Sequence, residues 1–534
     1  MREILEPSLR AALVETGVEP PAAPIPLTPS QRRDHGDWAS SVALATAKAA
    51  GRPPRQLAEQ LRAWLADHPP AYVTKVEVAG PGFLNFWLDN AWLHDVLRTV
   101  VADGVARYAA PDLGHGERVI VEFVSANPTG PLHVGNGWWC AYGDALSRLL
   151  ERTGWAVARE YYVNDTGGQV RQLGESLLAR RRGEAVPEEG YQGAYVAELA
   201  AGYDGPDEVV AAGRWAAAQI IANIRETLDA IDIRFDEWFS QASIEDSGVV
   251  QETIAELRAK GLVYDEGGAV WLRATDFGDS RDRVLVKSTG DFTYLAGDLA
   301  YHRNKFFVRG FDRAVDIFGA DHHGQVASLH AGMEALGVDP GRLEIKLGQM
   351  VSLAEGKMSK RAGNFVALSE LVADIGPDAT RLLSLMSSVD QATTIDLNTV
   401  RQQTMDNPVY YVQYAHARIA SIGRVAAEQG VARRPLDEVD LGVLGHEREL
   451  DLLRSLAELP GVVADATLTR APHKVTTWVR ELAGRFHGFY HDCRVLGEGV
   501  EADVTQARLW LVESTQIGLA IGLGLLGVSA PESM

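Results

Sequence analysis

The sequence predicts an α/β protein, with a parallel-sheet domain at about 113–400 between an N-terminal α+β domain, 1–112, and a C-terminal all-α helical bundle, 401–534. Three observations predict it. Val119, Ile120, Val121, Phe123 and Val124, and later Val315-Asp316-Ile317-Phe318, are short apolar runs of the kind that form strands buried on both faces of a parallel sheet. Helical periodicities follow such runs, for example Ala141, Ala145, Leu146, Leu149 and Leu150 with Asp144, Ser147, Arg148 and Glu151 on the opposite side. Beyond Thr394 the pattern is helical, with Tyr411, Ala415, Ile419 and Ile422 forming one apolar stripe. At 534 residues the chain is long enough for about three domains.

The N-terminal part contains an Ala-rich helical run over 42–50, a second helix near 56–65 and a strand-like stretch over 73–78 before Gly80-Pro81-Gly82, with 20–29 as a Pro-rich loop. In the middle part, 119–124 reads as a strand that breaks at Asn127-Pro128 and Gly130-Pro131 and resumes as a helix after Gly137. Strand, loop and helix in that order bring His133 and the backbone amides of 135–137 to a helix N-terminus, where unpaired N–H groups and the helix dipole favour a phosphate. His133 donating to phosphate oxygens would stabilise charge in a transition state. An ordinary strand-to-helix loop with a capping His133 is the other reading. Helical insertions are expected at 194–201 and 207–231.

Lys357-Met358-Ser359-Lys360-Arg361 follows a strand-like 345–351 and is flanked by Gly356 and Gly363. Lys357 and Lys360, three apart in a Gly-flanked loop, can both reach one pyrophosphate, with Ser359 as a further donor. Val315-Asp316-Ile317-Phe318 puts 319–324 at the carboxyl end of a strand, where open α/β sheets bind ligands. The Asp321-His322-His323 cluster invites a metal reading, but adjacent histidines diverge, no further ligands stand at metal-site spacing, and Cys140 and Cys493 are far apart, so no metal site is assigned.

With these strings in view, the chain resembles the arginyl-tRNA synthetases, class I aminoacyl-tRNA synthetases, over nearly its whole length. The resemblance is carried by Val121-Glu122-Phe123-Val124-Ser125-Ala126-Asn127-Pro128-Thr129-Gly130, by Glu160-Tyr161-Tyr162-Val163-Asn164-Asp165-Thr166-Gly167-Gly168-Gln169, by Phe318-Gly319-Ala320-Asp321-His322-His323-Gly324, by the lysine pentapeptide, and by the closing Leu525-Leu526-Gly527-Val528-Ser529-Ala530-Pro531-Glu532. It implies a Rossmann-type catalytic domain, an N-terminal additional domain that contacts tRNA, and an anticodon-binding bundle entered through Asp378-Ala379-Thr380-Arg381. It also implies a two-step ligation: ATP activates L-arginine, and tRNA(Arg), which such enzymes need before the first step, accepts the arginyl group.

The residue roles it implies are catalysis by His133, Lys357 and Lys360. ATP binding falls to Asn127, His133, Gly135, Asn136, Gly319, Asp321, Val351, Lys357, Ser359 and Lys360. Arginine binding falls to Glu122, Ser125, Asn127, Tyr294, Asp298 and His322. Tyr294 and Asp298 are four apart, so a helix there aligns a ring and a carboxylate on one face, and a guanidinium pairs best with carboxylates and neutral acceptors. Mg²⁺ is expected to arrive with ATP, held by phosphates and water, and no tightly bound cofactor is expected. A paralogue that activates arginine for another acceptor or resists an inhibitor, and a non-catalytic tRNA-binding protein, are the alternatives.

The 51 basic and 72 acidic residues give a net charge of −21, awkward for a nucleic-acid partner. Local clusters at Arg32-Arg33, Arg52 with Arg55, Arg180-Arg181-Arg182, 357–361 and Arg433-Arg434 offer a basic track or else scattered surface charge. Residues 1–6 lack an apolar core for a secretory signal, and 517–528 is read as too short and Gly-rich to span a bilayer. With two cysteines, a cytoplasmic protein is expected; no membrane partner and a monomer are also expected. The first signature departs from the family pattern at Asn136, where a second histidine is usual, and Gly137-Trp138-Trp139 follows. Asn136 keeps a donor but cannot carry imidazolium charge.

Overall fold

A computed structural model describes residues 1–30, 32–349, 351–353, 366–395, 397, 400–402 and 404–534. The described chain divides into two compact units, one made of Met1–Ala102, Arg433–Ala457 and Arg494–Ser514, the other of Asp103–Ala432, Glu458–Cys493 and Thr515–Met534.

In the first unit an antiparallel sheet has the order β1-β2-β4-β3, with β1 Leu27–Pro29, β2 Trp38–Ser40, β3 Val73–Ala79 and β4 Phe83–Leu88. Helices Arg2–Glu15, Val42–Ala50 and Pro54–Asp67 cover it. Leu5, Leu9 and Leu13 from the first helix and Leu57, Leu61 and Leu65 from the third recur at helical spacing and meet Leu84 and Phe86 in one core. The Pro-rich stretch is not loop throughout: its last three residues form β1, an edge strand in which Pro29 needs no ladder N–H.

The second unit is built on a five-stranded parallel sheet of order β12-β11-β5-β6-β7, with β5 Arg118–Glu122, β6 Ala156–Val163 and β7 Glu237–Ser240. A small antiparallel sheet of β8 Val263–Glu266, β9 Ala269–Leu272 and β10 Arg283–Val286 intervenes in sequence before β11 Arg313–Gly319 and β12 Leu343–Gly348. This is the doubly wound, Rossmann-type arrangement: the chain proceeds outward from β5 through β6 to β7, then returns to the other side of β5 for β11 and β12. The strand order therefore reverses between β5 and β11, which is where such sheets open a ligand crevice at their carboxyl ends. A separate parallel pair, β13 Val351–Leu353 and β14 Thr393–Ile395, follows. The expected strand over 345–351 is thus two strands in two sheets.

The helical insertions appear as Ala194–Gly202 and Val209–Asp229, and helices Pro408–Glu428, Glu447–Leu468, His473–Asp492 and Ala502–Leu526 make up the later part of the chain. The last is long and apolar enough to meet the length and composition of a membrane span, with 67% of its most apolar window buried against protein. The run over 517–528 belongs to this 25-residue helix as far as Leu526 and is not an isolated short segment.

Two local expectations change. The strand after Arg118 ends at Glu122, because Val124 and Ser125 take left-handed backbone conformations, φ 69° and 36°, and turn the chain out of the sheet. Helix Cys140–Arg152 is also buried on the side that reads as polar: Asp144 and Ser147 are 2% and 0% exposed. Ser147 Oγ donates to Gly143 O at 2.8 Å, and the Asp144 carboxylate is met by Arg148 at 2.7 Å and by Arg381. The helix lies close on the chain leaving β5, since a Cβ on Gly143 would occupy the Phe123 ring.

Candidate active site

The loop that leaves β5 is held from several sides. Ser125 Oγ donates to Glu122 Oε1 at 3.0 Å and accepts from Tyr162 N at 3.0 Å. The Tyr161 hydroxyl donates to Ala126 O at 2.8 Å, and the Tyr195 hydroxyl to Thr129 O at 2.6 Å. A left-handed conformation at β-branched Val124 costs on the order of 1–3 kcal/mol and persists only where surrounding contacts over-determine it. Asn127 is exposed at the turn, its carbonyl accepting from Thr129 N at 2.8 Å.

His133 caps the short helix Val134–Gly137, and its Nδ1 accepts the Asn136 N–H at 3.1 Å. Nδ1 is therefore the acceptor, and the proton of a neutral ring sits on Nε2. The Gly137 amide donates to His133 O at 2.9 Å, so the amides of Asn136 and Gly137 serve the capped turn. Gly135 is half-buried and Asn136 exposed.

The same loop carries backbone bonds to a remote segment. Val134 N donates to Val366 O at 3.0 Å and Leu368 N to Leu132 O at 2.7 Å, making a bridge between His133 and Ala367. On the other flank, Trp139 Nε1 donates to Gln349 O at 3.0 Å, and its indole lies over Gly348 where a Cβ would stand. Lys357, Ser359 and Lys360 lie outside the described residues. The chain on both sides of them is tied to the first signature.

Beside this loop the sheet carries a row of acids. Asp316 on β11, Glu122 on β5, Glu160 on β6 and Glu237 on β7 are direct register partners. Parallel strands stand about 4.8 Å apart and register partners share a face, so like charges adjoin and each pair needs a counter-charge. Asp316, Glu122 and Glu160 are 0%, 4% and 0% exposed. Lys305, fully buried, reaches Glu122 Oε2 at 2.6 Å and Asp316 Oδ1 at 2.8 Å. His302 Nε2 stands 2.6 Å from Asp316 Oδ2, while its Nδ1 donates to Asp298 O at 2.7 Å. The Tyr301 hydroxyl contacts Glu122 Oε2 at 2.9 Å and also Glu160 Oε1, and Arg309 pairs with both oxygens of Glu160. Burial alone would lower the Lys305 ammonium, but the surrounding carboxylates of Asp316, Glu122 and Glu160 outweigh it and its pKa is raised. For Asp316 burial pulls upward, and Lys305 and His302 together win and lower it.

Helix Tyr294–Arg303 aims one face along this row. Tyr294 begins it and is 81% exposed, Asp298 one turn on is half-buried, and Tyr301 and Lys305 are buried. A π-helical turn over Asn304–Val308 follows, a local form often found at functional sites. Crowding by protein pushes the Asp298 carboxyl up to about 6, with His302 opposing, Glu122 adding, His322 opposing and Asp316 adding.

At the carboxyl end of β11, Gly319, Asp321 and His322 are exposed, and His322 Nδ1 stands 3.2 Å from Gln325 Oε1. Among the described residues no group of three His, Cys, Asp or Glu side chains is arranged to hold a metal ion. Val351 is buried in the β13–β14 pair and not in the central sheet. The structure thus gathers Glu122, Ser125 and Asp298 near one another, with Tyr294 on the same helix face as Asp298. It adds Tyr301, His302, Lys305, Asp316, Glu160 and Arg309, none of which the sequence reading singled out. Their visible signal was acids inside apolar strands and Lys305 at i+7 from Asp298.

Three family models match the chain: "Arginyl tRNA synthetase N terminal domain" over residues 3–88, "tRNA synthetases class I (R), catalytic domain" over 98–205 and 195–421, and "DALR anticodon binding domain" over 412–534. An arginine–tRNA ligase of Frankia alni is 48% identical over 517 residues, 94% of this chain and 93% of that protein. That of Carboxydothermus hydrogenoformans is 42% identical over 550 residues, 99% and 98% of the two chains. The structure of Thermus thermophilus arginyl-tRNA synthetase superposes with a TM-score of 0.80 at 23% identity, covering 100% of both chains, which supports the fold.

Proposed function

The chain belongs to the arginyl-tRNA synthetase family, and from that premise we propose how its own residues perform the ligation. The protein is an arginine–tRNA ligase that uses ATP to join L-arginine to tRNA(Arg). An arginine carboxylate oxygen attacks the α-phosphorus of ATP, the bond to pyrophosphate breaks, and an arginyl-adenylate forms. A hydroxyl of the 3'-terminal ribose of tRNA(Arg) then attacks the carbonyl carbon, and AMP leaves.

In this reading Asp298 and Tyr294 receive the guanidinium, with His322 close by, and Glu122, Ser125 and Asn127 receive the α-amino group and flank the side chain. A carboxylate suits a forked cation, and Glu122 and Asp298 supply two at different ends of the pocket. Asn127, Gly135, Asn136, Gly319, Asp321 and Val351 line the nucleotide. His133 donates from Nε2 to an α-phosphate oxygen as charge builds, and Lys357, Ser359 and Lys360 stabilise the departing pyrophosphate. Mg²⁺ is proposed to travel on the phosphates of ATP with water. The division of work is 1–112 for tRNA contact, 113–400 for chemistry and 401–534 for the anticodon, in a cytoplasmic monomer.

The observation that carries the reading is the pairing of the first signature with the stretch that follows the second in sequence, by Val134 N to Val366 O and Leu368 N to Leu132 O. Lys360 stands six residues before Val366 in sequence, and the carboxylates gather at the other side of the same loop. The test is arginine-dependent ATP–pyrophosphate exchange with and without tRNA(Arg). Exchange is expected when tRNA is present. Its absence under both conditions would favour a non-catalytic tRNA-binding protein.

A further inference from the structure

Three buried carboxylates in a row across a parallel sheet are an unstable arrangement unless each gap is filled. Lys305 fills the gap between Asp316 and Glu122, and Arg309 closes the outer side of Glu160. The remaining gap, between Glu122 and Glu160, holds a neutral group, the Tyr301 hydroxyl, which contacts both. A phenol carries one hydrogen, so it holds the two carboxylates by sharing it. Charge-assisted bonds of this kind are stronger than neutral ones. Resting on the reading of Glu122 as an arginine ligand, we propose that Tyr301 is a positioning residue for the arginine site: its hydroxyl bridges Glu122 and Glu160, holds Oε2 of Glu122 in place and so leaves Oε1 turned toward the substrate.

The geometry of Glu122 supports the orientation. Oε2 is occupied by Lys305 and Tyr301, while Oε1 faces Ser125 on the signature loop. The Tyr301 ring is itself fixed by Tyr162 at 4.5 Å and Phe239 at 5.0 Å between centroids, with the Lys305 ammonium 4.3 Å over its face. Removing only the hydroxyl therefore leaves the ring packing in place. A buried ion cluster is weak evidence for stability, since well-packed apolar residues in its place often hold a fold as well or better. Glu122 ends β5 where the signature loop leaves the sheet, and Glu160 is its register partner on β6, which fits a role in binding.

The test is Tyr301→Phe, alone and with Glu160→Gln, in the full chain. For Tyr301→Phe the expected result is an arginine KM raised about tenfold, as for loss of a bond to a buried charge, with ATP KM and kcat changed by little. In the double variant one carboxylate is gone and the hydroxyl is no longer needed to hold the pair, so arginine KM should return toward wild type. Equal rises in arginine and ATP KM, or losses that simply add in the double variant, would overturn the proposal. Should Tyr301→Phe not fold, the double variant, in which the crowding of the two carboxylates is relieved, must fold and keep an arginine KM near wild type, and a double variant that is equally unfolded counts against the proposal. Wild-type protein charging tRNA(Arg) with arginine in the same assay separates failure of this inference from failure of the functional reading.

Discussion

Asp298→Asn tests the carboxylate proposed to receive the substrate guanidinium. That carboxyl is pushed up from its ordinary 3.8 to about 6, by burial first, with the Glu122 and Asp316 carboxylates adding and His302 and His322 opposing. A guanidinium favours the ionised form, so arginine binding drives a proton off Asp298. Above about pH 6 the group is already charged and affinity is flat. Below it arginine competes with a proton and loses about tenfold per pH unit, ~1.4 kcal/mol. From about pH 7 to about pH 5 the dissociation constant is therefore expected to rise about tenfold. The same displacement costs folding stability. The native pKa lies above the unfolded value, so the native state binds more protons in that window, and stability falls as pH rises from about 3.8 through about 6. The deficit, on the order of 3 kcal/mol, persists at neutral pH. Asp298→Asn should thus raise Tm at neutral pH while weakening arginine binding by about 100-fold or more. Calorimetric titration of arginine near pH 6, in two buffers of different ionisation enthalpy, should count about half a proton released. A wild-type affinity constant between those pH values, or an unchanged pH slope in Asp298→Asn, would show that Asp298 does not hold the guanidinium.

Three further outcomes are expected. Lys360→Ala should lower the activation rate by about 100-fold or more and leave arginine affinity nearly intact, as read by single-turnover adenylate formation beside calorimetry; unchanged turnover sinks the assigned role. His133→Asn keeps a side chain that caps helices well but withdraws the Nε2 donor, so Tm should hold while activation falls by about 100-fold; a loss of Tm with normal kinetics would leave His133 as a cap alone. Gly348→Ala puts a methyl into the Trp139 indole, and the repacking, about 1–3 kcal/mol, should lower Tm and raise ATP KM more than arginine KM, with equal kinetics and intact folding as the contrary result.

The alternation of apolar runs and helical periodicities made the parallel-sheet domain legible, because strands buried on both faces carry that pattern locally. The four-residue spacing of Tyr294 and Asp298 likewise marked a helix face, and helix Tyr294–Arg303 carries both. What stayed hidden depended on long-range partners. Phe123 and Val124 look like strand, but the backbone turns left-handed at Val124 and Ser125, a conformation that apolar composition does not encode. Asp144 and Ser147 look outward-facing until Arg381, 237 residues away, arrives on the Asp144 carboxylate. Asp316, Glu122 and Glu160 each stood in plain view inside apolar stretches. Their meaning came from interstrand register, Asp316 to Glu122 and Glu122 to Glu160, which no local window contains. The lysine pair is legible in the sequence alone, and the bridge from His133 to Ala367 joins the first signature to the stretch that follows that pair.

This chain attaches arginine to tRNA(Arg), and the most direct measurement of that activity is ATP-dependent charging of tRNA(Arg) by the purified protein with arginine, lysine and citrulline in parallel. Charging with arginine is expected far above both competitors, since only arginine brings a forked cation to the carboxylate proposed to receive it, Asp298. Better charging with lysine or citrulline than with arginine would contradict that expectation.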